Sequence, residues 1–523
     1  MRLLFIALLL WPLAAAAQSQ SWEDLLGAAE RAWDRGQAAE AERLYLRAVK
    51  GAESFGAADL RLARSLTALG LFYREQGRLR EAAPVLHRAL SVTEQSVPAD
   101  DARLVTPLNN VGVVWLQQGL VSDAEPVIRR ALAIAEKKLG PDDLETARSM
   151  INLGSVYQAR ARYAEAEPLY RGALQIQEKV LGANDVEVAR ILSGLGGLYR
   201  EQARYAEAEP LYQRALVIVE RAVGPDHIRM VGPLGGLAAL YNAQGRYREA
   251  EALYRRTLSI QERALGSDHP ALATTLNDLG DLYRVQARYV DAEPLLVRSI
   301  ALREARMGPS HPDVGVTLSN LGLVYFEQRR YAEAEGAYKR ALAILDPGPG
   351  RETPVMTESL NNLAEVYRVQ GRYADAEPLY RRALSIRERM LGPEHPSVAA
   401  TLNNLASLYY LQGRYAEAEP LYRRTLAILE KSVGPDQQRV GITLNNLAEV
   451  YRAEGRWNEA AAIYPRAIAI VEQSLGPDHP TLASVLENYA TVLRRNHQDA
   501  EALEADERAR DIRARHAQQN QRQ

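Results

Sequence analysis

A string close to Gly-Arg-Tyr-Ala-Glu-Ala-Glu-Pro-Leu-Tyr-Arg-Arg-Ala-Leu recurs along this chain at a fixed interval, and no other feature restricts the fold as much. The residue in its first Tyr position marks each copy: Ala38, Leu79, Val121, Tyr163, Tyr205, Tyr247, Tyr289, Tyr331, Tyr373, Tyr415, Trp457 and Asp499. The first step is 41 residues and the next ten are 42, giving twelve copies, the last one degraded. A period of this length belongs to stacked repeats. One supersecondary unit cannot bury its apolar face alone, so neighbours stack into one continuous core.

Each copy reads as two helices. In the stretch from Ser397 to Glu430, Leu402, Leu405, Ala406 and Tyr409 fall at i, i+3, i+4 and i+7 and stripe one face of a first helix. Gly413 ends that helix as a C-terminal glycine. Ala418, Leu421, Tyr422, Thr425 and Leu426 stripe a second helix, and Gly434-Pro435 breaks the chain before the next copy. The tyrosines at Tyr409, Tyr415 and Tyr422 read as bulky core fillers. They account for a bias of 26 Tyr against 4 Phe and 5 Trp. Two departures stand out. Pro378, Pro420 and their equivalents lie about five residues into the second helix, so that helix either starts late or bends. Asp346-Pro347-Gly348-Pro349-Gly350 interrupts the end of one second helix without disturbing the register, and reads as a local loop, with a hinge as the alternative.

This pattern resembles the tetratricopeptide repeat. The small residue Ala406, Tyr409 four residues before Gly413, and Ala376, Tyr380 and Ala383 in a second helix all fit it. The usual unit has about 34 residues. The longer unit, with Leu-Asn-Asn-Leu-Ala and Leu-Gly-Pro-Asp-His-Pro, is similar to the kinesin-light-chain type, over residues 22 to 515. The resemblance implies an all-α fold: a right-handed superhelical solenoid of about twelve helix-turn-helix units. It also implies a protein or peptide partner held on the concave side.

Met1-Arg2, the apolar run Leu3 to Leu13 and Ala14 to Ala17 describe a secretory signal peptide with cleavage after Ala17. The run is shorter than the roughly 20 residues a bilayer span needs, so no membrane span is expected after cleavage. The chain is then expected to be exported: periplasmic in a Gram-negative bacterium, otherwise secreted. Cysteine is absent, which avoids mispaired disulfides in an oxidising compartment. The expected organisation is a signal peptide (1–17), a divergent N-terminal capping repeat (18–62) and ten tandem 42-residue units (63–482). A degenerate C-terminal capping repeat (483–515) and a polar tail (516–523) follow.

Chemistry is conspicuous by what is missing. Lys+Arg of 64 against Asp+Glu of 66 argues against a nucleic-acid partner. There is no phosphate-binding P-loop and no His-Glu-x-x-His helix. Gly194-Leu195-Gly196-Gly197 lacks the preceding strand of a dinucleotide loop and reads as small-residue packing inside a first helix. His227, His269, His311, His395 and His479 share one slot in different copies. Stacked repeats hold such a slot on the order of 10 Å apart, too far for ligands at about 2 Å from one zinc. Each is expected to cap the helix that follows or bind its neighbour. No catalytic residue, metal site or cofactor is expected, and the chain reads as no enzyme.

Binding is expected on the open face of the first helices. Two adjacent slots there favour asparagine, a mediocre helix former: Asn109, Asn110, Asn152, Asn277, Asn320, Asn361, Asn362, Asn403, Asn404, Asn445, Asn446 and Asn488. An amide offers both donor and acceptor, so these can meet the backbone of an extended peptide or bond one another between stacked helices. In the tandem's middle copies Gly235 and Gly236 interrupt the row. Two further slots alternate. Asp281 with Arg284, Glu365 with Arg368 and Glu449 with Arg452 are separated by Leu323 with Phe326 and Ser407 with Tyr410, an 84-residue super-period. Such rungs suit an extended segment with charged and apolar side chains, and repeats seven to eleven carry them most densely. The alternative is a self-associating structural scaffold of the cell envelope, with the Arg-rich stretch from Arg508 to Arg515 inserted into another copy.

Overall fold

Helix boundaries follow the repeat closely. The computed structural model describes residues 21–160, 162–346, 348, 353–432 and 437–520. The expected signal peptide lies outside these residues, as do Pro347, Pro349 and Gly350 of the interrupting loop and the last residues of the polar tail. Among the described residues there are twenty-four α-helices, two short 3-10 helices at Ala102–Leu104 and Ile228–Met230, and no strand. Each repeat is a pair of helices, from Trp22–Asp34 with Ala38–Glu53 to Pro480–Arg495 with Asp499–Asn520, and every second helix begins on its mark. The chain divides into two compact units, Met1–Asp278 with Ala305–Gly308 and Leu279–Glu304 with Pro309–Gln523.

The second helices do not start late. Pro168 lies inside Tyr163–Leu181, Pro378 inside Tyr373–Leu391 and Pro420 inside Tyr415–Ser432. At the sixth helical position a proline removes one backbone bond just beyond the first turn, whose N–H groups lack helical partners anyway.

Local chemistry explains where each first helix stops and starts. After Pro396–Leu411, Gly413 adopts φ +72°. Its N–H donates to the Tyr410 carbonyl (3.0 Å) and the Arg414 N–H to the Tyr409 carbonyl (2.9 Å). This is the paired-bond C-cap that favours glycine. Ala203, Ala287 and Arg329 occupy the same slot at φ +57° to +60°, a conformation L-residues rarely adopt. At the other end one slot supplies the N-cap. Carboxylates of Asp59, Asp101, Asp143 and Asp185 accept from the N–H two residues on, at 2.8–2.9 Å. In later copies Nδ1 of His227, His269, His311, His395 and His479 accepts the same bond at 3.1–3.2 Å. The histidine series is thus a set of helix caps, as its position between helices suggested. Replacing His395 by Ala should destabilise Pro396–Leu411 locally by about 1 kcal/mol, as loss of a cap does. Faster amide exchange confined to that helix, restored by His395→Asp, is the expected reading. Unchanged exchange would mean the cap contributes nothing.

The core is the pair of stripes. Leu402, Leu405, Ala406 and Tyr409 of a first helix and Ala418, Tyr422, Thr425 and Leu426 of the second are buried. Second-helix tyrosines are the largest buried groups: Tyr338, Tyr380 and Tyr464 are fully enclosed. Small residues make room for them. A Cβ on Gly322 would stand 2.8 Å from the Tyr338 ring, and one on Gly196 would stand 3.0 Å from Tyr212. Gly194-Leu195-Gly196-Gly197 therefore lies inside the helix Val186–Glu201 as a seat for tyrosine rings.

Candidate partner-binding groove

An arginine between the two helices of a repeat ties that repeat to the second helix of the one before it. Arg414 stands between Pro396–Leu411 and Tyr415–Ser432, with its guanidinium 4.0 Å over the Tyr409 ring. It donates to Glu417 (2.6 Å) in the following helix and to Glu377 (2.8 Å) in the preceding repeat. The Tyr409 hydroxyl donates to the same Glu377 (3.1 Å). Arg414 and Tyr409 together hold the Glu377 carboxyl below its ordinary value, the Arg414 hydrogen bond being the largest cause. The arrangement recurs at Arg204 with Tyr199, Glu167 and Glu207, and at Arg456 with Tyr451, Glu419 and Glu459. The first-helix tyrosines are therefore more than fillers: a phenylalanine would lack the hydroxyl that reaches the previous repeat.

On the first helices the asparagines form a ladder. Asn152 Nδ2 donates to Asn109 Oδ1 (3.0 Å), Asn404 to Asn361 (3.4 Å), Asn446 to Asn403 (3.5 Å) and Asn488 to Asn445 (3.4 Å). Each bond uses one lone pair and one hydrogen, so each amide keeps capacity for another partner. Asn361, Asn362, Asn403, Asn404, Asn445, Asn446, Asn488, Asn152 and Asn320 are half-buried. Asn109 and Asn110 are different, at 0% and 1% exposed. Asn109 donates to Ser149 Oγ (2.7 Å) and Asn110 accepts from Arg148 (3.3 Å). These two were expected to meet a partner. Their enclosure makes them ties between helices instead. Asn277 is also buried, with Nδ2 on Asp278 (3.2 Å).

The alternating rungs are real side-chain clusters. Arg368 Nε donates to Glu365 (2.7 Å), and the buried Tyr380 hydroxyl donates to the same carboxylate (2.8 Å). Burial alone would raise the Glu365 carboxyl, but the bonds from Arg368 and Tyr380 outweigh it and leave it below its ordinary value. Arg452, Glu449 and Tyr464 repeat the triad, with Arg452 to Glu449 at 2.6 Å and Tyr464 to Glu449 at 2.6 Å. Arg284 donates to Asp281 (2.8 Å). Between the charged rungs stand aromatic pairs: Phe326 with Tyr331, centroids 5.7 Å apart, and Tyr410 with Tyr415, 5.6 Å apart.

Between adjacent first helices the surface sinks into grooves, and three cavities repeat one register. The first, about 390 Å³, is lined by residues including Ala63, Thr67, Thr93, Arg103 and Pro107. The second, about 290 Å³, has Ala189, Ser193, Val219, Arg229 and Pro233 in the same slots. The third, about 240 Å³, has Ala399, Asn403, Leu429, Arg439 and Thr443. The third contains two of the asparagines chosen from sequence.

The sequence profile of the tetratricopeptide repeat matches residues 103–179, 152–221, 187–231, 230–305, 281–346, 355–431 and 439–515, and a related profile of the same repeat matches 62–102. The chain belongs to the tetratricopeptide repeat family. Solved structures similar to it include BtubC (BKLC) from P. vanneervenii, 24% identical, covering 45% of this chain and 92% of that one at a TM-score of 0.37. Two crystal structures of a Podosopora anserina putative kinesin light chain with nearly identical TPR-like repeats are also similar. One is 27% identical over 38% of this chain and 94% of that one (TM-score 0.34), the other 26% identical over 40% and 99% (TM-score 0.35). No functionally curated protein matches.

Tetratricopeptide repeats suggest a protein–protein interaction scaffold and are typically non-catalytic. Among the described residues no helix is long and apolar enough to cross a membrane. In the last matched unit the second helix, Asp499–Asn520, packs on the first, Pro480–Arg495. Ala502, Ala505, Ala509 and Ile512 pack on Leu482, Leu486 and Leu493. Arg508 pairs with Glu472, Arg513 with Glu487 and Arg515 with Asp478, at 2.5–2.9 Å. The stretch weighed as an insert for another copy is thus engaged within its own chain.

Proposed function

We propose that the chain is an exported adaptor that holds an extended segment of a partner protein along its first-helix face, chiefly over repeats seven to eleven. One observation carries the reading. From Asn361 to Asn488 a row of half-buried amides keeps hydrogen-bonding capacity beyond its own ladder, beside alternating Arg–carboxylate and aromatic rungs. The amides suit the backbone of an extended segment; Arg368, Arg452, Phe326 and Tyr410 would select its side chains.

The test is affinity capture from the extracytoplasmic fraction, with the mature chain and a variant carrying Asn361→Ala, Asn403→Ala and Asn445→Ala. Each substitution removes the acceptor of one ladder bond, about 0.5–1.5 kcal/mol, and water reaches the half-exposed partners. Helicity should therefore persist while capture of a specific protein falls. A collapse in melting temperature with capture unchanged would make the asparagines purely structural. Export is read separately: when the full sequence is expressed, the chain recovered from the extracytoplasmic fraction should begin at Gln18.

A further inference from the structure

The three register-related grooves differ in how their charge is arranged. Two carry a carboxylate beside two arginines, Glu30 with Arg64 and Arg103 in the first and Glu187 with Arg190 and Arg229 in the second. The third carries no carboxylate: Ala399, Ala400, Leu429 and Ile442 give it an apolar floor, Asn403 and Asn404 give it amides, and Arg439 supplies a positive charge. Whether the arginine of this slot is clamped depends on the residue two before it, which in the second groove is His227 and supplies no carboxylate. In the first groove Arg103 is clamped by its helix cap, Nε and a terminal nitrogen on Asp101 at 2.9 and 2.8 Å. In the third groove the cap position holds Gln437, which makes no side-chain cap. Arg439 is exposed and pairs with no carboxylate among the described residues.

One repeat back, the slot of Leu429 is filled by Arg387, which is 8% exposed. Its guanidinium is held by neutral acceptors: Thr357 Oγ1 (3.1 Å), Thr401 Oγ1 (2.7 Å) and the Ser397 carbonyl (3.0 Å). The exposed Glu358 acts on it only through space. Two successive grooves therefore each hold an arginine without a bonded counter-charge, Arg387 buried and Arg439 exposed.

We propose that the groove of Leu429, Ile442 and Arg439 takes an aliphatic side chain of the partner's extended segment, and that Arg439 pairs with an acidic side chain one or two residues away in that segment. The inference rests on the peptide-groove reading above and specifies what the segment carries. Residues of an extended chain are about 3.3–3.6 Å apart, so the two side chains can span the floor and rim of one groove. Asn403 and Asn404 stand beside both to bond the intervening backbone.

The experiment pans a phage-displayed library of random dodecapeptides on the mature full-length chain and measures the synthesised consensus peptide by fluorescence anisotropy. An enriched consensus with an aliphatic residue next to Asp or Glu is expected. Its affinity should fall about tenfold or more with Arg439→Gln and stay near wild type with Arg439→Lys, as loss and retention of a charge pair require. Ala400→Phe, an exposed position that would fill the groove, should abolish binding while leaving the circular dichroism spectrum unchanged. Enrichment of peptides without acidic residues, or an affinity indifferent to Arg439→Gln, would overturn the inference and leave the peptide-groove reading standing. No enrichment over bare support would overturn that reading itself.

Discussion

Replacing Tyr380 by alanine is expected to destabilise the chain around Pro354–Leu391 by about 3–5 kcal/mol, the usual effect of emptying a large aromatic site in a core. Tyr380 is fully buried, in the cluster that also holds Tyr338, Leu363, Leu402 and Tyr409. Its hydroxyl also donates to Glu365, whose other bonds come from Arg368. Tyr380→Phe keeps the ring and removes only that donor. It should cost less, about 1–3 kcal/mol, because a partly buried carboxylate loses one of its bonds. In a repeat array each unit contacts only its neighbours, so unfolding need not be all-or-none. The suitable readout is therefore amide exchange resolved by helix, beside the urea midpoint. Both substitutions should speed exchange in Pro354–Val369 and Tyr373–Leu391 and spread one repeat outward. Equal effects for the two would mean that packing contributes little. No effect of Tyr380→Phe would mean the hydroxyl is idle.

The fold was legible because its information is local and repeated. The marks at Tyr163, Tyr373 or Trp457 gave the start of each second helix; Gly413 gave the end of a first helix through its positive φ; and the histidine slot gave a cap. What was not legible lies between repeats. The arginine before most marks was visible in the string but had no assigned role. That role depends on a tyrosine five residues earlier and on a glutamate thirty-seven residues back, as in Arg414, Tyr409 and Glu377. The chain does contain the signal. At Leu120 the arginine is gone, and the two partner slots change with it, to Trp115 and Ala83. Such joint replacement marks residues that act together.

The asparagine row shows the same limit from the other side. Spacing placed Asn109 and Asn403 in one slot, yet Asn109 is sealed by Ser149 while Asn403 lines a groove. The difference comes from the neighbouring repeat: Ser149 accepts from Asn109 at 2.7 Å, whereas Thr443, in the same slot, lines the groove beside Asn403. Identical slots therefore do not carry identical roles. The binding face has to be read from the neighbours of each residue rather than from its register alone.

Deleting residues 499–523 should have the second large effect, and its sign separates two accounts of the C-terminus. The helix Asp499–Asn520 covers Val471, Leu482, Leu486 and Leu493 with Ala502, Ala505, Ala509 and Ile512. Its removal exposes that surface and leaves Glu472, Asp478 and Glu487 without Arg508, Arg515 and Arg513. Uncovering a single Leu or Ile side chain costs about 1.5–3 kcal/mol, and several lose their cover at once. The helix Pro480–Arg495 should then lose nearly all exchange protection, with fraying into Trp457–Leu475. The uncovered apolar face should drive association that grows with concentration, because arrays need a polar terminal unit to stay soluble. Light scattering of the intact chain and the deletion then gives a clear contrast. A scaffold that self-associates by inserting this segment into another copy would lose its oligomers on deletion. A capped solenoid gains them. The ion pairs and the buried face of Asp499–Asn520 within its own chain support the gain. Oligomers of the intact chain that dissolve on deletion would overturn the cap and return the segment to the role of a ligand.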